Sequence, residues 1–275
     1  MAFSAKVLKD SINSVGQRLT TLEVIIPRIV LAEFNTHRVF SRNSASSRAI
    51  PIEKIIKRIV EDPFVPVYWG KNQSGMQAQE ELSLEEQVIA KEQWLTAMRN
   101  AVNSANELLK SKVHKQITNR ILEPWMWQTI IVTATEWENF SNLRCHPDAQ
   151  PEIRKAAVLM KEAMNNSTPT PMKYGDWHLP LVDDLIQLRV DKFSIEDIKR
   201  ISVGRCARVS YLTHDGKRDP IADIELCDKM LKGGHMSPFE HVATPDFGIQ
   251  NSNFVGWKQF RKELPGESVF KGEVK

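Results

Sequence analysis

The stretch Ser83–Lys112 constrains the fold of this sequence more than any other. Ser83 and Glu86 have the spacing of a capping box, in which each side chain hydrogen-bonds to the other residue's backbone N–H at a helix start. Apolar residues then recur at intervals of three, four and seven, and this predicts one buried stripe formed by Leu84, Val88, Leu95, Met98, Val102, Ala105 and Leu109. We interpret this helix as the scaffold of a large helical half.

The composition is that of a globular protein, with 41% hydrophobic and 26% charged residues among 275. A net charge of +3 is too small to indicate nucleic acid as the main partner. No apolar run suits a membrane span or a secretory signal. Three widely spaced cysteines without a CxxC pair predict neither a zinc site nor disulfides. The sequence therefore predicts a cytoplasmic protein with reduced thiols and no metal site.

The other segments predict an α+β fold with a mixed sheet. Residues 2–12 and 19–26 are rich in β-branched and aliphatic residues and are interpreted as strands joined by a turn at Gly16. Prolines, capping residues and apolar spacing predict further helices at 28–40, 50–60, 152–164, 194–211, 220–232 and 253–263. The irregular stretch 61–79 is interpreted as a lid or as a disordered connection. Asn165–Pro180, dense in Pro, Asn, Ser and Thr, is the predicted linker.

The stretch Phe34–Arg48, FNTHRVFSRNSASSR, is the strongest candidate for a binding site. It contains one histidine, three arginines and four serines. Guanidinium forks, hydroxyls and backbone N–H groups at a helix-to-loop corner are the groups that bind a phosphorylated ligand. The alternative is a solvated, serine-rich loop whose positive charge is incidental, and composition alone favours that alternative.

Further motifs accompany this stretch. They are NRILEP around Arg120, NLRCHPDAQPEI around Arg144, CARVSY at 206–211 and GGHMSPFEH at 233–241. In the first stretch, His37 and Arg38 are followed after seven residues by Ser46. Together these motifs resemble those of the flavin-dependent thymidylate synthases, over most of 20–50, 115–165 and 200–245.

The order of the motifs differs from the order in that family. There, segments like CARVSY and SPFEH precede the His-Arg signature, whereas here they follow it, so the sequence is interpreted as circularly permuted with a junction near Asn165–Pro180. The resemblance implies one catalytic domain made of the signature and helical half (1–164), the linker (165–180) and the CARVSY/SPFEH segment (181–275). FVGWKQFRK at 254–262 also faintly resembles the family's lead-in to its signature helix, through a trimmed duplication or through chance.

The resemblance implies transfer of a one-carbon unit from methylenetetrahydrofolate to C5 of dUMP, with FAD, reduced by NADPH, providing the hydride. Arg144 would be the catalytic residue that stabilises negative charge on the pyrimidine. Nucleotide binding is implied for Glu33, Ser44, Ala45, Ser46, Ser47, Arg48 and Arg120. Flavin contact is implied for Thr36, His37, Arg38, Val39, Asn139, His235, Ser237 and Glu240. The family also implies a homotetramer, while His241 is interpreted as an ordinary buried histidine.

Several positions depart from the family pattern. Thr36 stands where the signature has its first arginine, Glu33 where glutamine is usual, and Ser44 where glutamate is usual. Thr133 and Thr135 occupy the positions of an Asn-x-Arg pair. Because of these departures, the substrate could be dUMP or dCMP. The reaction could be methylation or hydroxymethylation. A non-catalytic relative that binds nucleotide or nucleic acid is the main alternative, and an RNA-binding helical module is a weaker one.

Overall fold

The computed structural model describes residues 3–211 and 219–265. The strands are β1 (Ser4–Asn13), β2 (Arg18–Pro27), β3 (Ser41–Ser44), β4 (Trp127–Ala134), β5 (Thr170–Met172), β6 (Ala243–Asn251) and β7 (Phe254–Gln259). The helices are α1 (Leu31–Asn35), α2 (Ile52–Glu61), α3 (Leu84–Lys110), α4 (Lys115–Thr118), α5 (Glu138–Arg144), α6 (Pro151–Asn165), α7 (Leu185–Val190), α8 (Ile195–Tyr211) and α9 (Pro220–Lys232). Short 3₁₀ turns occur at Arg28–Val30, Ser47–Ala49, Asn119–Trp125, Ser237–Glu240 and Phe260–Glu263. Within the described ranges, no helix combines the length and low charge that a bilayer span requires.

A five-stranded sheet in the order β3-β4-β2-β1-β5 forms the centre of the protein. β1 and β2 form the predicted hairpin around Gly16, whose φ of +84° lies in the left-handed region that glycine adopts without strain. β4 and β3 extend this sheet antiparallel, while β5 pairs parallel with β1. The predicted α+β fold with a mixed sheet is therefore confirmed. β5 lies within the stretch 165–180, so part of the predicted linker is built into the sheet.

Side-chain alternation along β2 and β4 divides the core between the two faces of the sheet. On one face, apolar residues of both strands pack with α6 and with the aromatic residues that follow β2: Leu22, Val24, Ile26, Phe34, Phe40, Ile130, Val132, Ala134, Phe140 and Ile153. On the other face, Ile131 packs against Cys206 and Val209 of α8. Because β4 is buried on both faces, a slip of one residue would bury a polar side chain in one of these clusters, and its register is fixed.

α3 begins as predicted but is only partly buried. The capping box is present, because Ser83 Oγ accepts from the Glu86 N–H and the Glu86 carboxylate accepts from the Ser83 N–H. The predicted stripe is wrong in the N-terminal half, where Leu84 and Val88 are 81% and 69% exposed. α2 and the turn at Asn119–Trp125 cover only the middle of the stripe, namely Met98, Val102 and Ala105. Leu109, at the C-terminal end of the predicted stripe, is 37% exposed. The first turns of α3 therefore present apolar side chains to solvent.

Two predicted helices are replaced by other structure. The helix expected from Arg28 is reduced to a 3₁₀ turn and the single short helix α1, which ends at Asn35. The helix predicted over Asn253–Glu263 is wrong, because residues 254–259 form β7, antiparallel to β6. Gly256 has a φ of +72°, which a helix does not allow. The faint resemblance of this segment to a lead-in helix has no structural counterpart.

The β6–β7 hairpin packs against the β1–β2 hairpin and is hydrogen-bonded to it. Asn13 Nδ2 donates to the Gly256 carbonyl over 2.9 Å, and Trp257 Nε1 donates to the Gln17 carbonyl over 3.1 Å. A Cβ at Gly256 would lie 1.5 Å from Gln17 Oε1 and would force that side chain to move, and the φ of +72° would strain any residue other than glycine. Trp257 and Phe254 are fully buried, together with Leu19 of β2. The two ends of the described chain are thus joined in one interface.

A buried ion network joins α8, α9 and the segment before α7. Arg205, which is 2% exposed, donates its Nε to Asp223 over 3.0 Å and its two terminal nitrogens to Asp184 over 2.5 and 2.7 Å. A further bond of 2.8 Å reaches the Leu181 carbonyl. Asp223, which is fully buried, also accepts from Arg208 Nε over 2.6 Å. Four side chains with matched charge thereby fix the packing of the two helices that carry and follow the CARVSY motif.

A chain of buried hydrogen bonds crosses the sheet toward β3. Its members, joined by contacts of 2.5–2.8 Å, are in order Ser11, His178, Thr21, Thr133, His241 and Asn43. Asn43 Nδ2 donates to the Cys206 carbonyl, so its Oδ1 accepts from His241 Nε2. Burial lowers the pKa of both histidines and keeps their rings neutral. With neutral rings, each earlier hydroxyl or ring nitrogen donates in the same direction, so both imidazoles carry their proton on Nε2. His241 is the buried histidine that was predicted.

We expect the free energy of unfolding to fall as the pH drops below about 6.5. Burial lowers the pKa of His241 to about 3, and burial together with the charges of Lys9 and His241 lowers that of His178 well below its usual value. The unfolded chain takes up protons at these histidines near pH 6.5, whereas the native state does not. Their contribution is complete above that pH and is lost on acidification, by about 1.4 kcal/mol per histidine per pH unit. Urea denaturation across the acidic range measures this slope.

The exposed His146 offers a matched control for this experiment. His146→Ala should leave the slope unchanged, whereas His241→Gln removes one of the histidines with a lowered pKa and should reduce it. A free energy of unfolding that stays constant between about pH 6.5 and about pH 4.5 would contradict the assignment of neutral buried imidazoles.

Candidate functional site

Arg42 fixes the turn between α1 and β3. Its guanidinium donates to the side chain and the carbonyl of Asn35 over 2.7 and 2.9 Å, and to the carbonyls of His37 and Phe40 over 3.0 Å each. The pairing of β3 with β4 begins directly after this turn. Arg42 therefore has a structural role, and it presents the intervening residues 36–39 on a rigid backbone.

His37 and Thr36 together hold Arg144, which lies at the end of α5. Arg144 Nε donates to His37 Nε2 over 2.9 Å, and its Nη2 donates to Thr36 Oγ1 over 3.3 Å. Thr36 Oγ1 donates in turn to the Glu33 carbonyl over 2.6 Å. The His37 ring also meets Phe140 edge to face at 4.8 Å. The structure thus brings together the predicted catalytic residue and two residues predicted to contact flavin.

The His37 imidazole is suited to accept from a guanidinium because it is neutral. Burial, and then the charges of Arg144 and Arg42, lower the pKa of His37 to about 4. The unprotonated Nε2 therefore faces Arg144 Nε at physiological pH. With Nε and one terminal nitrogen fixed, the remaining N–H groups of the Arg144 fork are oriented for a polar ligand.

An open cleft of about 560 Å³ lies between the Arg42 turn and the C-terminal hairpin, and we call it the hairpin cleft. It is lined by Asn35, Arg38, Phe40, Arg42, Ser237, Glu240, Ser252, Asn253, Gln259, Arg261 and Lys262. Arg38 is exposed, and Glu240 accepts from Arg261 over 2.6 Å. The cleft therefore joins the predicted flavin residues Arg38, Ser237 and Glu240 from opposite ends of the sequence. Four cationic side chains against one carboxylate make it suited to an anion.

A second cleft of about 500 Å³ adjoins the first at Asn35, and we call it the helix cleft. It is lined by Arg28, Ile29, Leu31, Ala32, Asn35, Arg120, Glu123 and Pro124. At its edge Glu123 Oε1 accepts from three donors: Ser47 Oγ at 2.6 Å, Arg28 Nη2 at 3.0 Å and Arg120 Nη1 at 3.0 Å. We call these four residues the Glu123 cluster. It brings together Ser47 and Arg120, two of the predicted nucleotide-binding residues.

The other predicted nucleotide-binding residues are more dispersed. Ser44 is the last residue of β3, and the Ala45 carbonyl accepts from Gln128 Nε2 over 3.0 Å beside a separate apolar cleft. The Ser46 carbonyl caps the Ser47–Ala49 turn. Arg48 is exposed, with no hydrogen bond or ion pair to any other part of the chain that the structure describes. Glu33 is half-buried, and its Oε2 has no hydrogen-bond partner within the described ranges.

Five predicted flavin residues do not line the hairpin cleft: Thr36 and His37, which bind Arg144, and Val39, Asn139 and His235. The Val39 side chain is exposed, although its carbonyl accepts from Asn253 Nδ2 over 3.0 Å. Asn139 is exposed on α5. His235 is exposed at the end of α9, where its backbone N–H caps the helix by donating to the Met230 carbonyl. Their contact with flavin remains a prediction, because the fold does not bring their side chains into the cleft that Arg38 lines.

The two threonines at the Asn-x-Arg positions have structural roles here. Thr133 is a link in the buried hydrogen-bond chain, and Thr135 Oγ1 accepts from the Val255 N–H over 3.1 Å at the C-terminal hairpin. Their hydroxyls are committed within the fold. Any ligand contact that an arginine would make from this position must come from another residue, and Arg261 and Lys262 supply cations in the same region.

Sequence reasoning missed Arg28, Glu123 and the cationic pair Arg261–Lys262. Glu123 follows Arg120 by three residues on a turn, which is the spacing of an ordinary surface ion pair. Only the fold brings Ser47 and Arg28 to the same carboxylate. Arg261 and Lys262 were assigned to a helix, whereas the hairpin turns them toward the Arg42 turn.

The chain is similar to a known protein family and to solved structures. The family model described as thymidylate synthase complementing protein (Thy1) matches residues 6–170. No curated protein matches the sequence. Among solved structures, UMP/dUMP methylase PolB from Streptomyces cacaoi bound with 5-Br UMP is similar, at 16% identity and a TM-score of 0.50, over 59% of this chain and 88% of that chain. The same methylase bound with 5-Br dUMP gives 16% and 0.50, over 59% of this chain and 90% of that chain.

These matches bear on the fold. At 16% identity, the likeness to the methylase shows a shared fold. The family match ends at residue 170, before CARVSY and SPFEH. In the structure these two segments pack against the signature, through contacts of α8 and the Ser237–Glu240 turn with β3. The permuted order stays a prediction.

Proposed function

Since this chain belongs to the thymidylate synthase complementing protein family, we propose that it transfers a one-carbon unit to C5 of a pyrimidine deoxynucleotide. The proposed donor is methylenetetrahydrofolate and the default acceptor is dUMP. The proposed cofactor is FAD, reduced by NADPH. The solved relatives carry the description UMP/dUMP methylase, which supports a pyrimidine nucleotide as the substrate class.

The observation that carries this proposal is the pair of clefts that meet at Asn35. A group transfer that involves a nucleotide and a cofactor requires two ligands side by side. Asn35 lines both the helix cleft and the hairpin cleft, and both are lined by arginines. In this proposal the phosphate of the nucleotide occupies the helix cleft, its pyrimidine extends toward Arg144, and the flavin occupies the hairpin cleft.

The residues of the hairpin cleft suit a flavin dinucleotide. Its diphosphate needs cationic and hydroxyl donors, and Arg38, Ser237 and Lys262 offer them at one rim. When bound, the flavin would supply the hydride of the reaction. Arg42 and Glu240 would act mainly by holding the cleft, because their side chains already bind the turn and Arg261.

Arg144 is the residue proposed to face the pyrimidine. A carbanion-like charge that develops on the ring is stabilised by a fixed cation with N–H groups already aimed at it. His37 and Thr36 hold that guanidinium from behind. Thr36, the most conspicuous departure in the signature, thus accepts from an arginine where the family pattern has an arginine of its own.

The exposed start of α3 supports the proposed homo-oligomer. Leu84, Val88 and Ile89 are 81%, 69% and 63% exposed, and Leu84 and Val88, four residues apart, share one face of the helix. An exposed apolar patch of this kind marks an interaction site. A second copy of this chain is the proposed occupant, within the tetramer that the family implies.

The experiment that tests the function is an incubation with methylenetetrahydrofolate, NADPH and either dUMP or dCMP, followed by mass spectrometry of the nucleotide. A methylated dUMP supports the proposal, whereas a hydroxymethylated product or a preference for dCMP would change its substrate or its final step. Purified protein should show flavin absorbance or acquire it on addition of FAD. A protein that takes up no FAD and yields no modified nucleotide would contradict the enzyme and favour a non-catalytic nucleotide-binding relative.

A further inference from the structure

The Glu123 cluster has the hydrogen-bond donors of a phosphate site, but these donors bind the Glu123 carboxylate of the protein itself. One hydroxyl and two guanidinium groups converge on Glu123 Oε1 at 2.6–3.0 Å. A phosphate oxygen bound by serine and arginine is surrounded by the same groups at the same distances. The cluster opens into the helix cleft, which provides space for the rest of a ligand.

The charges of the cluster are only partly balanced. Arg28 and Arg120 carry two positive charges against the single carboxylate of Glu123. Arg28 Nη1 donates to the neutral Gln128, and Arg28 Nε is a buried donor with no hydrogen-bond partner within the described ranges. A buried donor without a partner is costly. The cluster therefore retains both positive charge and hydrogen-bonding capacity for a second anion.

Glu123 is held as an anion in this position. Burial opposes its ionisation, but the hydrogen bonds from Ser47 and Arg28, with the charges of Arg28 and Arg120, outweigh burial and lower its pKa. The Glu123 side chain is 23% exposed and that of Arg120 is 54% exposed, so both can move without disturbing the core. Arg28 is 12% exposed and anchored by Gln128, so it forms the fixed wall of the site.

We propose that Glu123 is an exchangeable counter-ion, which the dianionic phosphate of a phosphomonoester displaces from Ser47, Arg28 and Arg120. This inference rests on the proposed function in taking the phosphomonoester to be a nucleoside monophosphate. Glu123 then sets specificity. A ligand must bring more negative charge than one carboxylate to displace it, so nucleosides and monoanionic esters are rejected at this position.

Isothermal titration of inorganic phosphate, dUMP and deoxyuridine tests the proposal. Glu123→Gln keeps an acceptor oxygen but removes the competing charge, so it should bind phosphate and dUMP at least about tenfold more tightly than the unmodified protein. Its affinity for deoxyuridine should not change. Glu53→Gln, on the exposed first turn of α2, is the matched control and should leave all three affinities unchanged.

A second variant covers the case in which Glu123→Gln fails to fold. Glu123→Asp keeps the charge but withdraws the carboxylate by one methylene, and it should give a smaller gain in phosphate affinity in the same direction. Unchanged or weaker phosphate binding in the folded variant would overturn the inference. If that happened while the unmodified protein still methylated dUMP, the proposed function would stand without it. A gain for inorganic phosphate in a protein that modifies no nucleotide would keep the anion site and refute the methylase.

Discussion

Replacing Arg144 with alanine is expected to reduce the rate of product formation by about 100- to 1,000-fold, the loss typical of removing a donor that stabilises charge in the transition state. The side chain is not part of the core, since it lies half-buried at the end of α5, and its hydrogen bonds within the described residues go to His37 and Thr36. The substitution should therefore leave the fold intact and affect the turnover number more than nucleotide binding. Steady-state kinetics with separate titration of dUMP distinguishes these two effects.

Arg48→Ala is the matched comparison. This exposed arginine is proposed to bind the nucleotide, so its loss should weaken binding first and turnover second.

The role of His37 can be tested in the same assay. His37→Gln keeps an oxygen that accepts from Arg144 Nε and should retain more activity than His37→Phe, which offers no acceptor. Near-normal turnover of Arg144→Ala would refute the role assigned to this residue.

Arg205→Ala is expected to lower the free energy of unfolding by about 3–5 kcal/mol, the usual cost of breaking a buried ion pair from one side. Asp223 is fully buried and would keep only one of its two guanidinium partners. The bonds from Arg205 to Asp184 and to the Leu181 carbonyl would be lost at the same time. The midpoint of urea denaturation, followed by circular dichroism, measures the change.

Arg200→Ala tests whether burial is the cause. Arg200 lies on the same helix and pairs with Asp228 and Asp197, but its side chain is 32% exposed. Water can replace its partners, so its removal should cost no more than about 1 kcal/mol. Equal losses for Arg205→Ala and Arg200→Ala would mean that the buried network contributes nothing beyond an ordinary surface pair.

Local rules were sufficient for much of the fold. Gly16 between two β-branched segments predicted the first hairpin, and the Ser83–Glu86 box predicted the start of α3. These features depend on residues close in sequence. The burial of α3 depends on how far α2 extends along it. The spacing of apolar residues within α3 gives no information about that length. For this reason the exposed Leu84 was predicted to be buried.

The candidate site was also predicted only in part. The motif resemblance placed Arg38, Ser237 and Glu240 in one site, and the fold brings these three residues to one cleft, while their contact with flavin stays a prediction. It could not reveal Glu123, because an acidic residue near an arginine is common on any surface. The wrong helix at Asn253–Glu263 had a similar origin, since spacing alone cannot show that Gln17 fills the place of a Cβ at Gly256.

The contact between the β1–β2 and β6–β7 hairpins determines when the hairpin cleft can form during synthesis of the protein. Ribosomes release a chain from its N-terminus, so the signature emerges early and can pair with β4 as soon as β4 follows. Ser237 and Arg261, which complete the hairpin cleft, emerge only near the end of the described chain. A nascent chain that has not yet reached Lys262 thus holds the arginines of the signature without the wall that faces them. The hairpin cleft can therefore form only after the turn that follows β7 has been synthesised.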